Sequence, residues 1–269
     1  MQVNVIRLYI ALGIFAILLT VTRGAPIPFD APQEVWIWLS LSGLVGFVMG
    51  DLFLFQAFVD VGARTAMVVY SLVPPLTAIL GRIFLQEILE PLQILAIAVT
   101  MTGIILVVRS GARSSTPQSS PESRESRGRG ILFAFLGAVG QAGGLVMSRY
   151  GAPTYAPFAA TQIRVIAGII GFTILFTLTK RWRLVGTALQ DRRAVGLMGQ
   201  GAFFGPFLGV SLGLFAAQRT STGITATLIA TVPVLLIPVT VFVFRQRITG
   251  IEIFGALLAV SGVALLFIG

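Results

Sequence analysis

Cysteine and histidine are both absent from this 269-residue chain. Without cysteine there is no thiol nucleophile, no disulfide and no thiolate for a metal. Without histidine, imidazole acid–base chemistry goes too, and with it nearly all zinc, haem and iron–sulfur ligation. Charge is scarce as well: charged residues make up 11% of the chain and hydrophobic residues 56%, with a mean hydropathy of +0.94. A soluble domain of this length needs far less apolar material to fill a core. Apolar runs of 18 or more residues recur along the chain, which is the pattern of membrane-spanning helices. The short alternating segments of a membrane barrel are missing. No motif suggests a cofactor, a metal or ATP.

The hydropathy predicts an all-α integral membrane protein with nine spans, near 4–21, 37–59, 65–86, 91–109, 131–149, 157–179, 195–217, 222–244 and 251–268. The first reads as a retained span, because no small-residue cleavage site follows it. Residues 110–129, SGARSSTPQSSPESRESRGR, are rich in Ser, Pro and Arg and have no apolar periodicity, so they read as a solvated linker between two halves. The net charge of +9 points to no nucleic acid, since basic and aromatic residues do not interleave. It reflects instead the bias of Lys and Arg toward cytoplasmic loops. One side collects Arg64, the linker arginines, Lys180, Arg181, Arg183, Arg192, Arg193, Arg245 and Arg247. The other has Arg23, Arg82, Arg149 and Arg219. The linker side is therefore predicted cytoplasmic, in a multi-pass protein of the cell (inner) membrane.

A shift of 159 positions places Gly50 on Gly209, Ala57 on Ala216, Val73 on Val232, Pro74 on Pro233, Gly103 on Gly262 and Leu106 on Leu265. Slightly out of register, IRLYIALGIF from Ile6 echoes IRVIAGIIGF from Ile163, which matches Arg7 with Arg164. Matched helices lie five spans apart. An odd spacing makes them cross the bilayer in opposite senses, the inverted-topology arrangement that transporters use. The second half has five spans and the first four, so the first half is expected to lack its first helix. The halves are residues 1–109 and 130–269.

GDLFLFQAFVDVGARTAMVVYSLVPPLTAIL, FLQEIL and GIILVV resemble the third to fifth helices of the EamA-type drug/metabolite transporters. TSTGITATLIATVPVLLIPV and FGALLAVSGVALLF are similar to the family's ninth and tenth. The resemblance implies a secondary carrier that moves small metabolites, such as amino acids or related amphiphiles, by alternating access between two five-helix repeats, more often as an exporter than an importer. Proton or ion coupling is compatible with it. A flippase component for lipid-linked sugars and a non-transporting membrane subunit are the alternatives. An enzyme is disfavoured, since no His, Cys or paired carboxylates are available. In the second half, RQRI (245–248) stands where the family often carries a Glu, so the acidic mark survives only at Glu87.

Asp51 lies roughly 4–5 Å from the centre of its span at the helical rise, where a charge costs about 2.5–3.5 kcal/mol on insertion scales. It is the first candidate for substrate binding or coupling. Arg164 is deep enough in its helix to need a partner, either Asp51 or a substrate carboxylate. Gln56, Tyr70, Gln141 and Thr227 add polar groups near mid-membrane. Pro74 and Pro75, with Pro233 and Pro238, interrupt helices at corresponding places in the two halves, the strongest sequence pointer to a transport site. Arg7 and Glu87 read as gating or structural residues. Gly201, Gly205, Gly209 and Gly213 share a four-residue spacing that predicts close helix packing.

Overall fold

A bilayer offers no water to an unpaired peptide group, so a chain this apolar must satisfy its backbone within helices or a closed barrel. The computed structural model describes residues 2–110, 124–180, 182–232, 234–235 and 249–266, and every regular element among them is helical. In order these are α1 (Gln2–Arg23), α2 (Gln33–Gly43), a π-helical turn (Leu44–Gly50), α3 (Asp51–Tyr70), α4 (Val73–Phe84), α5 (Pro91–Ser110) and α6 (Arg124–Gly151). Then follow α7 (Pro157–Leu178), α8 (Trp182–Gln190), α9 (Arg192–Ala202), a second π-helical turn (Phe203–Gly209), α10 (Val210–Ala217), α11 (Thr222–Ala230) and α12 (Gly250–Leu266).

Seven stretches among the described residues are long and apolar enough to cross a membrane: 2–23, 33–63, 65–84, 91–109, 128–151, 157–178 and 193–217. They coincide with the first seven predicted spans. The ninth corresponds to α12, a 17-residue apolar helix. Only the N-terminal part of the eighth, with α11, is described. Pro233, Pro238, the RQRI stretch and most of the linker (111–123) lie outside the described residues.

Two local features explain where helices break. Gly62 adopts φ 75°, a left-handed conformation that suits glycine, and it separates the second span from the third. At Ser71–Leu72 the helix breaks again, and Pro74 and Pro75 fall in the first turn of α4. There a missing N–H removes no helical hydrogen bond, so the two prolines start a helix rather than kink one. Farther along, α11 ends at Ala230 with a turn at Thr231, 159 positions beyond Leu72.

That offset recurs in the element starts. α2 and α9 begin at 33 and 192, the π turns at 44 and 203, α3 and α10 at 51 and 210, and α5 and α12 at 91 and 250. The π turns cover LVGFVMG and FFGPFLG, which share glycines at 46 and 205 and at 50 and 209.

The chain forms two compact units. The first comprises Met1–Leu52 and Gly143–Arg219. In it α7 packs on α2 and the first π turn, while α1 packs on α8, α9 and the second π turn, and α1 also meets α7. Glycine sets the approach: a Cβ on Gly43 would strike the carbonyl oxygen of Arg164, and one on Gly144 would lie 2.9 Å from the Gly46 Cα. Phe15, Phe172, Phe176, Val5 and Val165 are almost wholly buried there.

The second unit comprises Phe53–Ala142 and Thr220–Gly269. Its closest pairing is α5 on α12. A Cβ on Gly103 would run into Gly255 and Ala259, and one on Gly262 would run into Ala96 and Thr100. Under the 159 shift Ala96 answers to Gly255, Thr100 to Ala259 and Gly103 to Gly262. Each glycine thus meets the counterparts of the residues that the other glycine meets, the reciprocity of a two-fold contact. The late part of each helix meets the early part of the other, so α5 and α12 run antiparallel.

Gly262→Leu is expected to force this contact apart at a cost of about 1–3 kcal/mol, lowering the thermal unfolding midpoint of the purified protein. Gly13, with open space around its Cβ position, should accept alanine with no loss and a gain of up to about 1 kcal/mol in helix propensity. Equal effects at the two positions would contradict this packing.

Candidate functional site

Arg164 is the least compensated charge in the first unit. It sits two turns into α7 with 4% of its surface exposed. Its Nε is buried without a hydrogen-bond partner, and among the described residues the guanidinium makes neither a hydrogen bond nor an ion pair. Its carbon lies 5.0 Å from the ring centroid of Phe47, a cation–π contact from the first π turn. Gly46, in the same turn, leaves room beside it: a Cβ there would lie 3.5 Å from Nη2. A charge held in a membrane without a counterion costs roughly 2.5–3.5 kcal/mol on insertion scales.

Arg7, its sequence counterpart on α1, is half-buried. Its Nε is likewise buried without a partner, but its terminal nitrogen is bonded. Its Nη2 donates to the carbonyl of Gly201 at 3.1 Å, and the same atom fills the space where a Cβ on Gly205 would stand. Gly205 is 159 positions beyond Gly46, and Gly201 is 159 beyond Ser42. Each arginine therefore lies in the glycine notch of a π turn, and each notch belongs to the other sequence half. The expected glycine stripe resolves accordingly. Gly201 and Gly205 seat Arg7, while a Cβ on Gly209 would meet its own helix at Phe204, because the π turn shifts the four-residue register.

Asp51 follows the first π turn directly and is half-buried. It accepts a hydrogen bond of 2.6 Å from Asn4 Nδ2, a side chain 6% exposed. No ion pair joins Asp51 to Arg164 between these described side chains. The pairing offered as one role for Arg164 is thus not made, and the acid has an amide donor instead. Asn4 carries no sequence motif. The signal available was its position three residues before Arg7, on the same helix face.

The remaining candidates fall in the second unit. Gln56 Nε2 donates to Asp60 Oδ1 at 2.8 Å, and Arg129 Nε and Nη2 donate to Asp60 at 2.9 and 3.3 Å. Asp60, 5% exposed, is a buried ion-pair member that hydropathy placed at a span end and did not single out. Thr227 Oγ1 donates to the Gly223 carbonyl of its own helix at 2.8 Å, while Tyr70 and Gln141 are half-buried. Glu87 Oε2 accepts from the Thr222 N–H at 2.9 Å and from its hydroxyl at 2.7 Å. A carboxylate there satisfies an orphan donor and opposes the positive end of α11.

Outside the spans of the first unit, Arg23 Nη1 donates to Asp30 at 3.0 Å and Tyr155 Oη donates to Asp30 at 3.1 Å. Burial raises the Tyr155 phenol above its ordinary value, and the hydrogen bond from Arg23 works against that rise.

Comparison with known proteins places these features in a family. A sequence model of the EamA-like transporter family matches residues 1–109 and 128–268, in two segments separated by the linker. An uncharacterized membrane protein of Saccharomyces cerevisiae is 25% identical over 179 residues, covering 60% of this chain. The chain spans 43% of that protein's length. A solved crystal structure superposes with a TM-score of 0.73 over 99% of this chain and 87% of the other, at 17% identity, which shows a shared fold.

Glu87→Ala is expected to lower stability by about 1–2 kcal/mol through loss of the α11 terminus contacts, with Glu87→Gln intermediate. Thermal unfolding in detergent measures this, and an unchanged midpoint in the alanine variant would refute the capping role.

Proposed function

We propose, from the premise that this chain belongs to the EamA-like transporter family, that it is a secondary carrier for small metabolites, amino acids or related amphiphiles, exporting them by alternating access. The observation that carries this reading is the reciprocal, antiparallel contact of α5 with α12. Helices matched by sequence but opposed in direction are what an inverted repeat requires. With residues 1–109 and 130–269 as the two repeats, exchange of their conformations turns an inward-facing state into an outward-facing one. The recurrence of both π turns at one offset supports the same arrangement.

Asp51 has no acidic counterpart, since Val210 stands at the matching position. The repeat supplies the movement and Asp51 the charge particular to this carrier. It serves as a site for a substrate amine or a coupling proton, with Asn4 orienting the carboxylate.

Transport into or out of proteoliposomes tests the assignment. Asp51→Asn keeps the side-chain shape and is expected to lower the rate at least tenfold and to flatten its dependence on pH. Unchanged rate and pH profile would remove Asp51 from the coupling role.

The arginine bias supports a cytoplasmic linker. Because the native chain has no cysteine, single-cysteine labelling reads this directly. On intact cells a membrane-impermeant maleimide is expected to label Thr154→Cys and to spare Ser115→Cys until the membrane is opened. The reverse pattern would invert the topology.

A further inference from the structure

The two π-turn notches hold equivalent arginines in unequal states. Arg7 has the Gly201 carbonyl. The equivalent acceptor for Arg164 is the carbonyl of Ser42, and Arg164 makes no bond to it. Nor does Arg164 find any other acceptor among the described residues, although it is 4% exposed. An arginine cannot escape by losing its proton, so a buried guanidinium with no hydrogen bond among the described residues calls for an anion.

We propose that Arg164 is the seat for the anionic end of the cargo, an oxyanion of carboxylate or phosphate type. This deepens the carrier reading and rests on it. The chemistry fits in three respects. The guanidinium fork matches the two oxygens of such a group and binds them in parallel. The Phe47 ring, 5.0 Å from the guanidinium carbon, steadies the cation while offering its N–H groups no oxygen acceptor. Gly46 keeps side-chain atoms away from Nη2. The second notch lacks this platform, because Pro206 stands where the first has Phe47. Its arginine already has a bond to backbone through Nη2, although its Nε is buried and unpaired as well. The seat is thus a property of the Arg164 side alone.

The test uses the full chain purified in detergent, with thermal unfolding as the readout. The probes are acetate, butyrate and hexanoate, their neutral amides, inorganic phosphate, and phosphatidylglycerol. Carboxylates or phosphate should raise the wild-type midpoint by several degrees in a saturable way, since a ligand bound only to the native state stabilises it. The amides should not. The shift should vanish in Arg164→Gln and persist, reduced, in Arg164→Lys.

A second readout separates a ligand seat from a structural arginine. With no ligand present, Arg164→Met should melt above wild type, because it deletes an uncompensated buried charge. A structural arginine would do the opposite. A lower midpoint in Arg164→Met, no anion shift in wild type, or a shift produced by phosphatidylglycerol alone would each overturn the proposal, the last by assigning the anion to lipid. If proteoliposomes carry no metabolite while the Arg164-dependent shift remains, the carrier reading fails and the seat stands. If transport proceeds and Arg164→Gln leaves its rate unchanged, the seat fails and the carrier stands.

Discussion

Inside a bilayer nothing solvates a polar group that the protein leaves unpaired, and the rest of this structure follows from that constraint. It makes the chain helical. It also explains why most of the described buried polar side chains find partners: Asn4 on Asp51, Glu87 on Thr222, Gln56 and Arg129 on Asp60. Ser42 and Ser148 both donate to the carbonyl of Gly144. Ser211 Oγ, Thr225 Oγ1, Gln162 Oε1 and the Nε atoms of Arg7 and Arg149 are also buried without a partner. Arg164, however, is a buried cation with no hydrogen bond at all among the described residues, and an uncompensated charge is the costliest of these exceptions.

Close helix contact is the second consequence. Lipid tails are as apolar as leucine, so membrane helices associate through packing and not through hydrophobic exclusion. Gly43 against Arg164, Gly144 against Gly46, and the Gly103 and Gly262 contacts let backbones meet. The same small residues recur in both halves, which is why a sequence repeat reappears as a reciprocal contact. A π turn adds width to a helix and opens a notch beside its glycine. The arginine from the other sequence half lies in that notch.

Much of the fold was legible in the sequence. Span positions followed from hydropathy, and the offset of 159 came from a handful of identities such as Gly50 with Gly209. The structure then reproduced it in the element starts. The site was legible only in part. Asp51 and Arg164 announced themselves as charges in apolar helices. Of the two partners offered for Arg164, Asp51 or a substrate carboxylate, the first is not met between these described side chains. Asn4 and Asp60 escaped notice, because a neutral amide near a helix start and an acid at a span end look unremarkable in hydropathy. The π turns left no trace, since LVGFVMG and FFGPFLG suit an ordinary helix equally well.

Sequence alone determined that the chain is helical, crosses the membrane repeatedly and repeats itself, since composition, run length and offset are properties of the chain order. Tertiary structure alone decided which charge is satisfied. Whether a guanidinium meets a carbonyl, a carboxylate or an aromatic face depends on which helix lies opposite and on where a π turn widens. Those are distances of a few ångströms between residues more than a hundred positions apart. Arg7 and Arg164 are matched in sequence, and only the fold distinguishes the one resting on Gly201 from the one resting on Phe47.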